Sequence, residues 1–330
     1  MPANLTPQYH KAEQEYRRAT SPEEELEWLQ VMLRELPKHK GTDKLNAELK
    51  QKISKAKREL QQGRSTGRRG GGLRLPRQGA GRAVLIGAPN TGKSQLLGSL
   101  TRATPEIAPY PFCTREPQPG MMPWEDVMVQ LVDTPPITRD VLDPATQGLI
   151  RGADLVLLLV DLASDDGIDD LQGVLDHLGT TRTRLGTESY VDEQDVGLVY
   201  TQTFLVPNKI DAPDAADRLE LLHEFCPLEF REFVISALSG TGLETLRDAI
   251  YRAMDVVRVY TKLPTQKEPD YDRPYTIRQG GTLLEVAELI HKDFVTQLKS
   301  ARVWGSQVHD GTYVKGDYVV HDKDVIELHI

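Results

Sequence analysis

The chain has few cysteines, few aromatic residues and no long apolar run. Its 330 residues include two cysteines, Cys113 and Cys226, and 6% aromatic residues. Two thiols are too few for a disulfide framework or, alone, for a metal site, which favours a reducing compartment. The longest apolar run, Leu155 to Val160, is too short to span a bilayer, and the charged N-terminus does not resemble a signal peptide. We therefore expect a cytoplasmic location and no membrane partner.

Charge is distributed unevenly along an otherwise ordinary globular composition. Apolar residues make up 39% of the chain and charged residues 27%, and the formal net charge is −9. Residues 1–82 hold 18 Lys and Arg against 10 Asp and Glu, about +8, whereas the rest of the chain carries about −17. The length allows two or three domains. A positive N-terminal arm therefore precedes a negative body.

Residues 1–62 carry a helical pattern. Ser21 is a favourable N-cap, Pro22 suits the first helical position, Glu24 completes a capping box, and Pro37 should end the helix. Apolar residues recur at helical spacing, first in Leu26, Leu29, Leu33 and Leu36 and then in Leu45, Leu49, Ile53, Ala56 and Leu60. The pattern predicts an antiparallel helical hairpin. Its apolar stripe would serve packing or dimerisation if it has no other role.

A basic segment, residues 63–81, links this hairpin to the rest of the chain. Between Lys50 and Arg82 there are eleven Lys and Arg against the single acid Glu59, and glycines from Gly63 onwards disfavour regular structure. Such a cluster commonly neutralises nucleic-acid phosphates, with a steep salt dependence, and a merely solvated linker has the same composition. Both interpretations stay open at this point.

The stretch Gly87 to Ser94 fits the phosphate-loop pattern G-x-x-x-x-G-K-[ST] and follows the apolar run Ala83 to Ile86. A strand, a loop and a helix in this order would turn backbone N–H groups and a helix N-terminus towards a phosphate chain. Lys93 would reach the β and γ phosphates, and the Ser94 hydroxyl would bind Mg²⁺. The alternative is a chance glycine turn before a helix, which would not need the preceding strand.

Strand patterns and helical stretches alternate across residues 82–258. The strands are predicted at Val127 to Val132, Leu155 to Val160, Thr203 to Val206 and Phe233 to Ile235. This order specifies an α/β P-loop domain with a mostly parallel sheet, helices on both faces, and ligand loops at the strand ends. Residues 180–202 are polar and have no clear period, so we interpret them as an insertion of unknown role.

The pattern of residues 259–330 changes to short strands around one helix. Thr282 to Glu285 forms a capping box before the helical stretch Val286 to Phe294. Strands are predicted at Thr276 to Arg278, Val303 to Trp304, Val314 to Val319 and Val325 to Ile330. A compact α+β domain of independently folding size is expected.

Two further positions add to the phosphate loop. Asp133, at the end of a predicted strand, would hold the Mg²⁺ shell, and Thr114 is the candidate ligand from a mobile loop. Asn208 to Asp211 reads N-K-I-D after another strand. The Asp211 carboxylate can accept hydrogen bonds from the N1–H and 2-amino groups of guanine, a pair that adenine does not offer. The sequence therefore predicts GTP or GDP as the ligand.

The order of these motifs resembles that of Obg-related translation-factor GTPases, above all the developmentally regulated GTP-binding proteins. The resemblance rests on Gly87 to Ser94, Tyr110 to Thr114 with Pro119 and Gly120, Asp133 to Pro136, Asn208 to Asp211, and Ser236 to Leu238. The C-terminal residues, notably Ile290 to Phe294, Ala301 to Gly305 and His321 to Val325, are similar to the TGS domain, a β-grasp fold also found in threonyl-tRNA synthetases and stringent-response enzymes. The resemblance implies a GTPase that engages ribosomes or their RNA, with a protein activator as a further candidate partner.

The resemblance also implies a set of site residues. Nucleotide contacts are expected from Pro89, Asn90, Thr91, Gly92, Lys93, Ser94, Gln95, Asn208, Lys209, Asp211, Ser236, Ala237 and Leu238. Lys93 and Thr114 are the candidate catalytic residues, and Ser94, Thr114 and Asp133 the candidate Mg²⁺ ligands. Asn90 occupies the position at which similar potassium-stimulated GTPases carry an asparagine that helps to hold K⁺. The alternative for Asn90 is that it only shapes the loop.

Two residues depart from the family pattern. Pro136 stands where the family usually has glycine, and it has no N–H to donate to a γ phosphate. Ile137 stands where Ras-like proteins have a water-orienting glutamine. Unaided hydrolysis should therefore be slow. A GTP-hydrolysing switch and a GTP-binding scaffold with little hydrolysis both remain open, while a nucleotide kinase, which has no use for N-K-I-D, ranks last.

Overall fold

The described residues of the N-terminal unit contain three helical segments. The computed structural model describes residues 6–19, 22–37, 42, 45–46, 48–54, 75–101, 116–192, 195, 197–266 and 268–329. Helix α1 (Pro7–Arg18) begins at the N-cap Thr6, helix α2 (Pro22–Glu35) follows, and residues 45–46 and 48–54 are helical. Their buried apolar core contains Tyr9, Ala12, Tyr16, Leu29, Met32, Leu36, Leu49 and Ile53.

The sequence therefore predicted two helices in this unit and missed α1. The apolar face of α1 is built from two tyrosines and an alanine in a strongly polar sequence, so it has no leucine repeat to reveal it. Helix α2 follows the prediction, since it begins at Pro22 and ends before Pro37. The basic segment predicted for residues 63–81 lies outside the described residues as far as residue 74.

The first sheet has eight strands in the described part of the chain. These are β1 (Arg82–Gly87), β2 (Gln118–Trp124), β3 (Val127–Asp133), β4 (Leu155–Asp161), β5 (Thr183–Gly186), β6 (Tyr190–Val191), β7 (Val199–Asn208) and β8 (Arg231–Glu232). The order is β2-β3-β1-β4-β7-β5, and β6 and β8 also pair with β7. Only β2 and β6 pair antiparallel among these described strands. The predicted, mostly parallel sheet is confirmed.

In the described residues of this domain, five helices cover both faces of the first sheet. They are α3 (Lys93–Leu100), α4 (Pro144–Arg151), α5 (Gly167–Thr180), α6 (Ala215–Phe225) and α7 (Leu243–Ala253). Helices α3 and α7 share one apolar core with Ala83 and Leu85 of β1, whereas α4, α5 and α6 share the opposite core with Val84 and Ile86. This alternation follows the two-residue period of a strand buried on both sides.

Two predictions for the first sheet need correction. Residues 180–202 are not an irregular insertion, because they supply β5, β6 and the start of β7; short polar strands gave no period to detect. The strand predicted at Phe233 to Ile235 is displaced, since β8 is Arg231–Glu232. The backbone N–H groups of Phe233 and Ile235 still donate to residues of β7, at 2.9 Å each, so this segment continues alongside the sheet.

The second sheet has five strands with one helix across it. The strands are β9 (Val256–Thr261), β10 (Asp270–Arg278), β11 (Ser300–Gly305), β12 (Val308–Val314) and β13 (Asp324–His329), in the order β10-β9-β13-β11-β12. Helix α8 (Leu283–Ile290) has the predicted capping box of Thr282 and Glu285, and the short α9 (Phe294–Gln297) follows. The predicted β-grasp fold is confirmed.

Three boundaries in this region differ from the prediction, the first being the end of the predicted helix, which lies at Ile290 and not at Phe294. The domain boundary placed between residues 258 and 259 cuts through β9, which pairs with β10 and β13 and so is part of the second sheet. The strand predicted at Val314 to Val319 is wrong, because β12 ends at Val314 and the N–H of Tyr318 closes a turn onto the Lys315 carbonyl at 3.1 Å. The valines at both ends of that stretch led to the strand prediction, because valine is typical of strands.

A buried arginine joins the two sheets. The side chain of Arg258 in β9 is only 4% exposed, and its guanidinium binds Asp322 and, in the turn between β2 and β3, Asp126 and Glu125. Hydrogen bonding to Asp322 raises the pKa of Arg258 above its ordinary value. Tyr260 donates its hydroxyl to Asp126 as well. The β2–β3 turn is therefore fixed against the second sheet.

Aromatic stacking supports the same contact. The ring of Trp124 in β2 stacks on Tyr251 in α7 with 3.6 Å between centroids, and the Arg258 guanidinium lies 5.4 Å from the Trp124 ring.

In the described part of the chain, no helix combines the length and apolarity needed to cross a membrane.

Candidate nucleotide-binding site

The loop between β1 and α3 has a backbone that only particular residues tolerate. Gly87, Asn90 and Gly92 have φ of +150°, +62° and +91°. A Cβ at Gly87 would lie 2.7 Å from the Leu159 carbonyl oxygen. These left-handed positions curl the loop around the first turn of α3, whose N–H groups and dipole favour an anion. The predicted strand, loop and helix are all present.

Lys93 occupies the centre of this loop. Its side chain is buried, and Nζ donates to the carbonyl oxygens of Gly87 at 3.1 Å and Ala88 at 2.8 Å. Burial lowers the pKa of Lys93 to about 8, and the nearby Asp133 carboxylate opposes that shift. A phosphate beside Nζ would favour the charged amine again. The loop therefore holds a cation ready for an anionic ligand.

The other predicted loop residues differ in exposure. Thr91 is buried and donates its hydroxyl to the Ala88 carbonyl at 3.1 Å. Pro89 and Gln95 are half-buried, and Asn90 is exposed. Asn90 is thus the predicted loop residue whose side chain is most open to solvent.

Two of the three predicted Mg²⁺ ligands lie together. Asp133 ends β3 and is fully buried beside β1, where its backbone is in register with Leu85. The Ser94 hydroxyl donates to Asp133 Oδ2. A hydroxyl and a carboxylate are the hard oxygen donors that suit Mg²⁺. These residues therefore fit the ion, while the third candidate, Thr114, lies outside the described residues.

Asn208 connects three loops of the site. It ends β7, is 1% exposed, and donates through Nδ2 to the Thr91 carbonyl at 2.9 Å. Its Oδ1 accepts a hydrogen bond from the Ala237 N–H, also at 2.9 Å. A Cβ at Gly92 would lie 2.3 Å from Asn208 Nδ2. The Asn208 amide thus positions the loops, whereas the sequence predicted it only as a nucleotide contact.

The two charged residues of N-K-I-D lie on the same edge. Lys209 has φ of +70°, and its Nζ pairs with Asp161 Oδ2 at 2.5 Å. Asp211 is exposed, and its carboxylate is therefore open to a ligand. Sequence analysis missed Asp161, although its place at the carboxyl end of β4, where ligand loops gather, is the signal that could have found it.

The loop Ser236 to Leu238 is fixed through its backbone. The Ser236 hydroxyl accepts from the Ser239 N–H at 3.0 Å, and the Ala237 carbonyl accepts from the Ser99 hydroxyl at 2.8 Å. The side chain of Leu238 is 78% exposed at the rim. Ser99, in α3, was not predicted because nothing in the local sequence links it to a residue 138 positions away.

The segment after Asp133 is anchored to the domain rather than directed at a phosphate. Thr134 donates its hydroxyl to the Leu85 carbonyl at 2.7 Å, and the Ile137 N–H donates to the Gly87 carbonyl at 3.1 Å. The Ile137 side chain is 1% exposed in the core shared by α4, α5 and α6. Pro136 has no N–H at all. Neither residue offers a donor for a γ phosphate in this arrangement.

Comparison with known proteins agrees with this site. The family model described as 50S ribosome-binding GTPase matches residues 82–195, and the TGS domain model matches residues 257–330. An uncharacterized GTP-binding protein of Methanocaldococcus jannaschii is 28% identical over 93% of this chain and 92% of its own. A developmentally-regulated GTP-binding protein 2 homolog of Dictyostelium discoideum is 27% identical over 92% and 98%.

One solved structure to which the chain is similar is a point variant of Era from Aquifex aeolicus bound to GDP and AlF₄⁻. It is 20% identical, with a TM-score of 0.39 over 68% of this chain and 71% of that chain. The phosphate loop, the N-K-I-D loop and the two matched domains agree with these family models. The chain is a GTP-binding protein with a P-loop GTPase domain followed by a TGS domain, and over most of its length it is similar to the developmentally regulated GTP-binding proteins.

Proposed function

We propose that the protein hydrolyses GTP slowly and acts as a switch that associates with ribosomes or RNA. The observation that supports this most is the meeting of three loops at one sheet edge, held together by Asn208. One loop carries Lys93, the second carries Asp211 and the third is Ser236 to Leu238, while Asp133 is joined to the first through the Ser94 hydroxyl. Phosphate, metal and base recognition thus share one edge, as an α/β nucleotide site requires.

The chain's own residues would bind and orient the nucleotide. Lys93 would exchange its carbonyl contacts for the β and γ phosphates and neutralise their charge. Ser94 and Asp133, with Thr114 as the proposed third ligand, would hold Mg²⁺. That ion supplies positive charge to the phosphate oxygens when it is bound. Asp211 would accept from the guanine N1–H and 2-amino groups and so exclude adenine.

Slow hydrolysis follows from the anchored segment after Asp133. Because Ile137 is buried and its N–H is used within the domain, it cannot orient a water molecule. The same observation favours the second candidate, a GTP-binding scaffold with little hydrolysis. Single-turnover measurement with excess protein separates them. Release of phosphate faster than the uncatalysed reaction supports the switch, and no release above that background supports the scaffold.

Potassium is the proposed source of extra charge in the site. Asn90 is exposed at the phosphate loop with φ of +62°, a conformation that also explains an asparagine there without any ion. Hydrolysis should be faster in K⁺ than in Na⁺ at equal ionic strength, and Asn90→Ala should remove the difference. Equal rates in both salts for the unaltered protein would contradict this and favour an external activator.

RNA or ribosome association is proposed from the basic segment. Arg77 and Arg82 must be kept in any deletion, because Arg77 pairs with Asp154 at 2.8 Å and Arg82 is buried against Gln130. Deleting residues 64–74 removes four arginines and should flatten the salt dependence of binding. Co-sedimentation with ribosomes, in GDP or a non-hydrolysable GTP analogue, tests the association. An unchanged salt slope would leave the segment as a spacer.

A further inference from the structure

The second sheet has one face covered by α8 and one face directed away from it. Ala301 and Val303 of β11 are fully buried in the core with α8. Because side chains alternate along a strand, Arg302 and Trp304 lie on the opposite face. Tyr313 of β12 is in register with Arg302 and therefore shares that face. We call it the outer face.

Rings and cations alternate along the outer face. The Arg302 guanidinium carbon lies 5.3 Å from the Trp304 ring centroid and 5.4 Å from that of Tyr313. Lys262 Nζ lies 4.7 Å from the Trp304 centroid. These distances are typical of cation–π contact. Lys262, Trp304, Arg302 and Tyr313 thus form a continuous series, the ladder, that spans strands from the end of β9 to β12.

Glu327, an acidic residue beside the ladder, already has basic partners. Glu327 of β13 is in register with Arg302, but it accepts from Lys262 Nζ at 2.9 Å and lies 3.1 Å from His329 Nε2. The hydrogen bond from Lys262 lowers the pKa of Glu327, and Arg302 adds to that shift. In the part of the chain that the structure describes, no carboxylate forms an ion pair with Arg302. The ladder therefore keeps one positive charge between two rings.

The outer face is divided between a covered part and an open part. At β9, Arg258 and Tyr260 are buried against the β2–β3 turn of the first domain. At β12, the Tyr313 side chain is 65% exposed. The ladder lies in the open part, so its rings can be reached by a partner.

We propose that the ladder binds single-stranded RNA. The ladder would then be the surface through which the protein makes the RNA association proposed above, and this inference rests on that proposed function. Unpaired bases expose flat π-faces that stack on Tyr and Trp rings, and their phosphates suit Arg and Lys. Duplex RNA hides its base faces and would gain little from the ladder. A sheet face with aromatic side chains is a common platform for such stacking. Tyr313 would stack a base, and Arg302 and Lys262 would lie beside the backbone.

The test measures binding of a fluorescently labelled single-stranded oligoribonucleotide to the full chain by anisotropy. Tyr313→Leu removes one stacking ring and should weaken binding about 5- to 100-fold. Arg302→Gln should weaken it as well and reduce the salt slope. Tyr190→Leu is the matched control, because Tyr190 is 48% exposed and stacked on Tyr200 but lies in the first sheet. GTP affinity should not change in any of these variants.

Trp304 provides a second readout that does not depend on loss of binding. Stacking of a base should quench its fluorescence in the unaltered chain, and Trp304→Phe, which keeps a ring, should bind RNA with no such quenching. This arm holds even if Tyr313→Leu fails to fold. The same measurements in the chain lacking residues 64–74 separate the ladder from the basic segment.

Three results would overturn the proposal, and the first two are distinguishable from each other. If the unaltered chain binds the oligonucleotide, but Tyr313→Leu and Arg302→Gln bind it equally well, the ladder is not the surface and the RNA association stands. If the unaltered chain binds neither the single strand nor ribosomes, the association itself fails. Tighter binding of a duplex than of the single strand would also contradict base stacking.

Discussion

The nucleotide edge of the first sheet and the outer face of the second present their chemistry in opposite ways. At the nucleotide edge, the curvature of the loops positions a few side chains such as Lys93 for a ligand, and Asn208 and Ser99 hold the loops in place. On the outer face the backbone is committed to strand pairing, and side chains provide the surface. The nucleotide edge therefore tolerates little change in backbone geometry, whereas single side chains of the outer face can be replaced without altering the backbone.

Lys93→Ala should have the largest effect, and only on the nucleotide edge. It removes the cation at the centre of the loop, so GTP affinity or turnover should fall about 100- to 1,000-fold. Calorimetry and single-turnover hydrolysis measure this. Lys292→Ala, an exposed lysine in the second domain, is the control and should leave both unchanged. Retained affinity and turnover in Lys93→Ala would refute the assigned site.

Arg258→Met should weaken the contact between the β2–β3 turn of the first sheet and the second sheet. Removing the arginine leaves the carboxylates of Asp126 and Asp322, which are 25% and 42% exposed, without their shared partner, which should cost about 1.5–3 kcal/mol of unfolding free energy. Chemical denaturation measures the loss. Arg252→Met removes an exposed arginine paired with Asp248 and should cost less than about 0.5 kcal/mol. Equal losses in the two variants would mean that Arg258 does not join the sheets.

Gly92→Ala tests how strictly the backbone geometry of the phosphate loop excludes a side chain. Its φ of +91° and its contact with Asn208 make any Cβ unfavourable, so unfolding free energy should fall by about 1–3 kcal/mol. A Cβ added at Gly148, within α4, would meet no atom within 4 Å, so Gly148→Ala should gain about 0.5–1 kcal/mol. Thermal unfolding of the pair checks the opposite signs. A loss in both variants would contradict the loop geometry.

The pH dependence of GTP binding should be the smallest effect. Burial lowers the pKa of Lys93 to about 8 from 10.5, and phosphates favour its charged form. Affinity should therefore be constant below pH 8 and fall by up to about tenfold for each pH unit above it, because binding then takes up a proton. Lys93→Ala separates this titration from that of the guanine base. Constant affinity from pH 7 to 9 would contradict the buried amine.

The two regions also differ in how well the sequence predicts them. Gly87 to Ser94 and Asn208 to Asp211 are contiguous, and their spacing follows from backbone geometry, so the loops and the α/β fold were predictable. Asp161 escaped notice because its partner Lys209 lies 48 residues away. Helix α1 escaped because its buried face is tyrosine and alanine.

The ladder was not predictable for the same physical reason. Lys262, Arg302 and Tyr313 become neighbours only through strand pairing, and no local period links them. Val303 and Trp304 indicated β11 correctly, but the next strand was predicted at Val314 to Val319, which begins where β12 ends. The face that a residue occupies therefore had to come from the register of the sheet.

The most direct test of the central claim is a calorimetric comparison of nucleotides in Mg²⁺ for the unaltered chain and Asp211→Asn. The account predicts that the unaltered chain binds GTP and not ATP. The variant should lose GTP affinity and gain affinity for xanthosine triphosphate, because its amide can donate to the xanthine 2-oxo group. Equal binding of ATP by the unaltered chain, or unchanged GTP affinity in Asp211→Asn, would contradict it.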